Sequence, residues 1–286
     1  MRQPVSVFVC VLLAAATACS RKQTVEPPVA TPTVTFSKNK AAIGSPLKVT
    51  YRFEVLPNAS IDGDYTVFVH VLDPDGEKLW QDDHPPSVPT SQWKAGQVVE
   101  YTRTVFVPNY PYIGEAVVRV GLYNTASGKR LTLNAPEVSR QEYVAGRLQL
   151  LPQSENVFLI HKEGWHPQEV DPDDPVTEWQ WTKKVGTISF RSPKRDTTFY
   201  LEWDARVDLF NPPQQVTVKI GGQPIGTFQA DSKHRTLRSF PITAAQFGSA
   251  EMAEIAIEVD RAFTPAGGAD TRELGIRVFN AFIEPK

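Results

Sequence analysis

Residues 46–55, PLKVTYRFEV, carry the pattern on which the chain is built. Every odd-numbered position from Leu47 to Val55 is apolar, and most of the positions between them are polar. A period of two residues is the signature of a β-strand with one buried face. The same alternation continues in four further runs: YTVFVHVL (65–72), VVEYTRTVFV (98–107), AVVRVGLY (116–123) and 143–151. The first half of the chain is therefore predicted to be β-structure.

Turn residues separate these runs at short intervals. Asp73-Pro74-Asp75-Gly76 predicts a tight turn, because Pro presets φ and Gly accepts a positive φ, and residues 78–81 then form the returning strand of a hairpin. No stretch shows a convincing helical period. Short strands in this order predict an immunoglobulin-like antiparallel β-sandwich over residues 34–152.

The second half repeats this organisation. Gly221-Gly222 predicts a two-residue hairpin, and only residues 243–247 resemble a helical turn. We expect a second antiparallel sandwich, of the jelly-roll kind, over residues 153–286. Its predicted strands are 185–190, 197–205, 215–220, 225–229, 235–240, 253–259 and 274–283. The predicted fold class is thus all-β, with two tandem sandwiches.

The N-terminus predicts export. Residues 5–16 form an apolar run that is shorter than the roughly 20 residues of a membrane-spanning helix, so residues 1–18 are interpreted as a cleavable signal peptide. The run ends in Ala16-Thr17-Ala18-Cys19, which resembles the lipobox of bacterial lipoproteins, except that Ala16 stands where that family most often has Leu. The resemblance implies a lipid on Cys19. The alternative is an ordinary secretory signal in which Cys19 is incidental.

Residues 19–33 are rich in Pro and Thr and predict a lipidated Cys followed by a disordered tether. The only cysteines are Cys10 and Cys19, so the body of the chain must hold together without disulfides. With 30 basic and 32 acidic residues, the net charge of −2 argues against a nucleic-acid partner. The membrane, reached through the N-terminal lipid, is an expected partner.

Two resemblances support the fold. PTSQWKAG (89–96), VGLY (120–123) and GKRL (128–131) resemble a largely uncharacterised β-sandwich module of bacterial exported proteins, also seen beside membrane glycosyltransferases. DTRELGIRV (270–278), with GWHP (164–167), is similar to galactose-binding-like sandwiches of cell-envelope proteins. The second resemblance implies a fold that often binds glycans and often only packs against a neighbouring domain.

No group of residues predicts catalysis or a cofactor. Asp82-Asp83-His84 lies within one local segment and is interpreted as structural, with Asp side chains capping turn amides. The acidic loop of Glu169, Asp171, Asp173 and Asp174 is interpreted as solvated rather than as a calcium site. No metal site is expected, since the histidines lack zinc-ligand spacing.

The tryptophans at the start of the second sandwich stand out. Trp165, Trp179 and Trp181 flank the acidic loop, and Arg272 is expected to meet that loop because first and last strands of a sandwich often pair. These four residues with Asp174 are the candidate ligand-binding residues, combining flat apolar faces with hydrogen-bonding groups. In the competing interpretation the tryptophans pack as a lid and Arg272 bridges to Asp270 or Asp174.

The sequence therefore predicts a non-enzymatic lipoprotein of the cell envelope, a binding or scaffold module for an envelope protein or glycan. One alternative is a dedicated carbohydrate-binding protein that uses the second sandwich. Another is an accessory subunit of envelope polysaccharide or export machinery. We expect the protein to face the periplasm or the cell surface.

The anchor is tested by the Cys19→Ala variant. Because the thiol is the predicted acceptor of the lipid, the variant should take up no labelled palmitate and should leave the membrane fraction. Metabolic labelling and fractionation measure both. A wild-type protein that takes up no label, together with a variant that stays on the membrane, would make Cys19 incidental.

Overall fold

The computed structural model describes residues 26–109, 112–174 and 177–286. These residues form nineteen β-strands and three short 3-10 turns, at 90–92, 153–155 and 244–247, and contain no α-helix. The strands build two β-sandwiches in series, and the predicted fold class is confirmed. In the described ranges no helix has the length and apolar character needed to cross a membrane.

The first sandwich packs two sheets against each other. One sheet has the strand order β1-β3-β6, and the other has the order β2-β9-β7-β4-β5, with β8 added beside β9. All strand pairs in it are antiparallel except β2 with β9, which run parallel. The strands are β1 (Ala30–Phe36), β2 (Lys40–Ala42), β3 (Pro46–Val55), β4 (Thr66–Leu72), β5 (Lys78–Gln81), β6 (Val98–Phe106), β7 (Gly114–Tyr123), β8 (Glu137–Ser139) and β9 (Glu142–Leu151).

The alternation in β3 places its apolar side chains in the core of the first sandwich. Leu47, Val49, Tyr51, Phe53 and Val55 are all buried, because each odd-numbered side chain points toward the opposite sheet. Each such buried side chain stabilises the fold by about 1.5–3 kcal/mol relative to leaving it exposed. Hydrophobic burial therefore supplies the stability of the first sandwich, which has no cysteine among its described residues.

The PTSQW motif closes this sandwich at one end. Thr90 is buried; its hydroxyl accepts a hydrogen bond from the Tyr65 amide at 2.8 Å and donates one to the Gly63 carbonyl at 2.9 Å. The indole of Trp93 donates to the Val88 carbonyl at 2.9 Å and packs on Phe53. The motif thus serves loop and core packing.

The second sandwich packs two five-stranded sheets. Their strand orders are β10-β13-β18-β15-β16 and β11-β12-β19-β14-β17, and all pairs are antiparallel. Gly221 and Gly222, both at positive φ, form the predicted hairpin turn. The strands are β10 (Leu159–His161), β11 (Glu169–Val170), β12 (Glu178–Trp181), β13 (Val185–Arg191), β14 (Thr197–Asp204), β15 (Gln214–Ile220), β16 (Gln223–Ala230), β17 (Thr236–Ile242), β18 (Met252–Val259) and β19 (Arg277–Pro285).

Two separate hydrophobic cores underlie the two sandwiches. The first comprises buried residues from Val29 to Leu150, and the second comprises buried residues from Ile188 to Ile283. Within the part of the chain that the structure describes, two polar side-chain contacts join the halves. The Asn156 amide donates to the Ile43 carbonyl at 2.7 Å, and the Lys38 ammonium lies 3.0 Å from the Glu284 carboxylate.

The start of the first sandwich differs from the sequence prediction. The tether was predicted to reach residue 33, but β1 begins at Ala30, and Val29 and Ala30 are buried. Pro32 is tolerated here because β1 is an edge strand of its sheet, and its bridge to the other side, between Ala30 and Leu133, lies before the proline. The signal peptide, Cys19 and residues 20–25 lie outside the described residues.

This correction predicts the effect of truncation. A fragment of residues 26–152 should fold, whereas a fragment of residues 34–152 should be about 2–4 kcal/mol less stable, because it lacks the buried Val29 and Ala30 and half of β1. Urea unfolding followed by circular dichroism measures the difference. A fragment of residues 29–152 is the matched control, since it removes only residues ahead of the buried pair.

Candidate functional site

The outer face of one sheet of the second sandwich carries an unusual set of side chains. In β14 the side chains of Phe199, Leu201 and Trp203 enter the core, so those of Glu202 and Asp204 lie on the opposite face. The backbone register places Asp204 opposite Arg277 of β19, and Arg277 opposite Trp181 of β12. Three strands therefore contribute to one surface.

Aromatic rings and guanidinium groups interleave on this face. The Arg277 guanidinium lies 5.0 Å from the ring centroid of Trp179, 5.6 Å from that of Phe279 and 5.7 Å from that of Trp181. The Arg235 guanidinium lies 4.8 Å from the ring of Phe279. We call these five residues the aromatic–arginine ladder. Contacts of this kind are attractive because the negative face of a ring meets a cation.

Both arginines of the ladder form hydrogen-bonded ion pairs with carboxylates. The Arg277 side chain donates to the two Asp204 oxygens at 2.6 and 2.5 Å, and Asp204 is only 2% exposed. Arg235 donates to Glu202 at 2.7 Å, and the Asn280 amide donates to the same Glu202 oxygen at 2.6 Å. A two-bonded guanidinium–carboxylate pair fixes the orientation of both groups. The two carboxylates therefore order both arginines of the ladder.

A third arginine borders the ladder through Trp179. The Trp179 indole donates to Glu169 at 3.2 Å, and Glu169 also accepts from Arg272 at 2.5 Å. Arg272 in turn donates two hydrogen bonds to Asp270, at 2.9 and 2.8 Å. These bonds lower the pKa of Asp270 to about 2 and raise the pKa of Arg272. Both groups are therefore charged at neutral pH.

The structure brings together three of the five candidate ligand-binding residues. Trp179, Trp181 and Arg272 are linked through Arg277 and Glu169. Of these three, Trp181 is buried, with its ring packed edge-on against Phe263, so it offers no open face. Trp181 therefore packs as the competing interpretation of the tryptophans expected.

The side chains of the other two candidates contact groups outside the ladder, although the backbone of Trp165 pairs with Thr182, next to Trp181. Trp165 donates to the Thr187 carbonyl at 2.8 Å and packs against the second core from the side of β13. Asp174 is exposed and accepts a hydrogen bond from the Thr177 hydroxyl at 2.7 Å, within its own loop. Arg272 pairs with Asp270, which is one of the two partners that the competing interpretation gave it.

Sequence reasoning missed Arg235, Arg277, Phe279, Glu202 and Asp204. Each lies in a strand whose alternation was recognised, and polar residues on such strands are ordinarily solvated. Arg277 and Asp204 are 73 positions apart in the chain, and only the pairing of β14 with β19 makes them partners. The one available signal was the density of charged residues beside aromatic ones in 202–204 and 277–279.

The Asp82-Asp83-His84 segment forms an internal network. The Asp82 carboxylate pairs with Arg103 at 2.8 Å, and the buried His84 ring bonds the Tyr101 hydroxyl at 2.9 Å and the Asp82 carbonyl at 2.8 Å. Burial lowers the pKa of His84, which favours the neutral ring. Asp83 accepts a hydrogen bond from the Val69 amide at 3.2 Å. The contacts with Arg103 and Tyr101 of β6 join the two sheets of the first sandwich.

The acidic turns bind their own backbone. Asp73 accepts from the Glu77 amide at 2.8 Å, and Asp171 accepts from the Asp173 amide at 2.9 Å. Among the residues that the structure describes, no three His, Cys, Asp or Glu side chains are grouped closely enough to hold a metal ion.

Two glycines explain the motifs at the ends of the second sandwich. A Cβ on Gly164 would lie 1.6 Å from the Val185 carbonyl oxygen, and its φ of +81° is unfavourable for other residues. A Cβ on Gly275 would lie 2.4 Å from the Thr182 hydroxyl. The GWHP and RELG motifs therefore mark close backbone packing.

Comparison with known proteins finds only weak structural likenesses. No protein-family model and no curated protein matches it. Among solved structures it is similar to a β-glucuronidase of Bacteroides uniformis, with 10% identity and a TM-score of 0.32 over 89% of this chain. It spans only 30% of that enzyme's length.

Two further likenesses are of the same weak kind. The CBM51-2 and INT domains of ZmpB from Clostridium perfringens match 61% of this chain and 38% of theirs, with 9% identity and a TM-score of 0.26. The collagen adhesin of S. aureus matches 90% of this chain and 96% of its own, with 11% identity and a TM-score of 0.20. Likenesses at this level carry no argument about activity or ligand.

The Asp204→Ala variant tests whether the ladder is a fixed unit. Removing the buried carboxylate leaves Arg277 without its partner, so the free energy of unfolding should fall by about 2–3 kcal/mol. Urea unfolding measures the loss, and near-ultraviolet circular dichroism should report altered tryptophan packing. Glu258→Ala is the matched control, since Glu258 pairs with Lys219 at 2.6 Å in the other sheet and both side chains are about one-third exposed. Glu258→Ala should lower the free energy of unfolding by less than about 1 kcal/mol.

Proposed function

We propose that this protein is a non-enzymatic binding module of the cell envelope, held to a membrane by a lipid on Cys19. Its binding surface is the outer face of the sheet that carries the aromatic–arginine ladder. The observation that supports this most directly is the ordered array of rings and guanidinium groups on a solvent-facing sheet, with Arg277 fixed by Asp204.

The ladder has the composition of a recognition surface. Tryptophan and arginine are over-represented among residues that dominate binding energies. Trp179, Phe279 and Arg277 are each half-buried, so they are held in place and still reach the surface. A surface that is ordered before binding loses little conformational entropy when a ligand arrives. The Asp204 and Glu202 contacts provide that order.

The anchor sets where this surface operates. Ala30, the start of β1, lies eleven positions after Cys19 in the chain. An extended chain of that length spans at most about 40 Å. A lipid on Cys19 would therefore keep the first sandwich close to a membrane surface facing the periplasm or the exterior.

Two alternatives make different use of the same fold. A dedicated carbohydrate-binding protein would use the ladder for glycans alone. An accessory subunit of envelope polysaccharide or export machinery would use it to dock on a protein. The ladder supports binding in either case. The two alternatives differ in whether the bound partner is a glycan or a protein.

The experiment is a capture assay with the intact protein and solubilised envelope. The wild type should retain a component. The double variant Arg235→Ala/Phe279→Ala should retain at least tenfold less, since it removes two ladder residues that contact each other and leaves the Arg277–Asp204 pair in place. Lys219→Ala, in the opposite sheet, is the control. Capture that survives protease treatment identifies a glycan, and capture that is lost identifies a protein. Equal retention by wild type and double variant would show that the ladder is not the binding surface.

A further inference from the structure

The charges around the ladder are already balanced against one another. Arg277 pairs with Asp204, Arg235 pairs with Glu202, and Arg272 pairs with Asp270 and Glu169. Three guanidinium groups thus meet four carboxylates. An anionic ligand would have to displace a carboxylate from an arginine while facing the net negative charge of the group. The surface is therefore unsuited to uronate, sulfate or phosphate groups.

The same pairs leave donors and acceptors side by side. Arg277 engages Asp204 through Nε and one Nη, and guanidinium carries five N–H donors. Both bonds to Glu202 reach one oxygen, Oε2, and no described residue donates to the other. A hydroxyl group donates and accepts at once, so it suits such a mixed surface. Uncharged sugars present several hydroxyls in fixed positions.

The exposed aromatic area is small. Trp179 and Phe279 are the half-buried rings of the ladder, and their ring centroids are 6.1 Å apart. A stable protein–protein interface needs about 800 Å² on each partner, and two half-buried rings supply a small part of that. An area of this size, with polar groups at its border, is suited to one or two sugar rings.

We propose that the ladder binds an uncharged glycan, with one or two of its sugar units placed against Phe279 and Trp179 and their hydroxyls bonded to Glu202, Asn280 and Arg235. This inference rests on the proposed function, because it names the ligand class of the same surface. It differs from the sequence-based hypothesis in its residues, since Trp179 is the only one of the five earlier candidates among its contacts.

The experiment measures binding of the intact protein to two panels of oligosaccharides. One panel holds neutral gluco-, galacto-, manno- and N-acetylglucosamine oligomers, and the other holds uronate and sulfated oligomers of matched length. We expect binding to a neutral oligomer that changes less than twofold between about 50 and 500 mM salt, because no charge on the ligand is screened. Phe279→Ala should weaken it by roughly 5- to 100-fold, the effect of losing one stacked ring.

Two controls separate loss of the site from loss of the fold. Glu202→Gln keeps an acceptor oxygen and should weaken binding less than Glu202→Ala. Thr217→Ala, on the outer face of the other sheet, should bind as the wild type does. Thermal unfolding of each variant shows which of them remain folded at the temperature of the assay.

Other outcomes would overturn the inference in distinguishable ways. Binding of anionic oligomers alone, with a steep loss in high salt, would refute the ligand class and leave the proposed binding surface standing. Capture of a protein through the same residues, without any oligosaccharide, would do the same. Neutral binding that Phe279→Ala leaves unchanged would place the site elsewhere and would count against both proposals.

Discussion

Burial of one face of every sheet is the constraint on which this structure depends. The described chain contains no cysteine, so neither sandwich has a disulfide to limit its unfolded state. Stability must come from alternating apolar side chains that meet between the sheets, as those of β3 do in the first sandwich and those of β14 do in the second. A strand shifted by one residue would expose its whole apolar face, and so the burial requirement also sets the register.

That register is what creates the outer surface of the second sandwich. Once Phe199, Leu201 and Trp203 point inward, Glu202 and Asp204 must point outward. The bulge between Glu202 and Trp203 then leaves Phe279 as an extra residue on β19, next to Arg277. A candidate binding surface thus follows from core packing on the other side of the same sheet. The buried position of Asp204 makes its pairing with Arg277 a requirement, since an unpaired carboxylate there would be costly.

The acidic and histidine-containing motifs form hydrogen bonds and ion pairs within the fold. The contacts of Asp82 and His84 with β6 join the two sheets of the first sandwich, and Asp73 and Asp171 stabilise their own turns. A catalytic group must instead be aimed at a space that a substrate can enter. The ladder differs from these networks because its ion pairs lie under rings that reach the solvent. This difference is the reason for assigning binding to the ladder and internal support to the other motifs.

Sequence reasoning predicted the β-architecture, most strand positions and the hairpin at Gly221-Gly222, because a period of two and the turn residues are local properties. It misjudged the start of β1, since a proline-containing edge strand resembles a linker until its pairing with β3 is known. It placed Trp179 and Arg272 in one group, and Glu169 joins the two in the structure, but it could not find Arg277, Asp204 or Phe279. Their proximity depends on the pairing of β14 with β19 and of β19 with β12, and strand pairing is a property of the tertiary structure that no local pattern encodes.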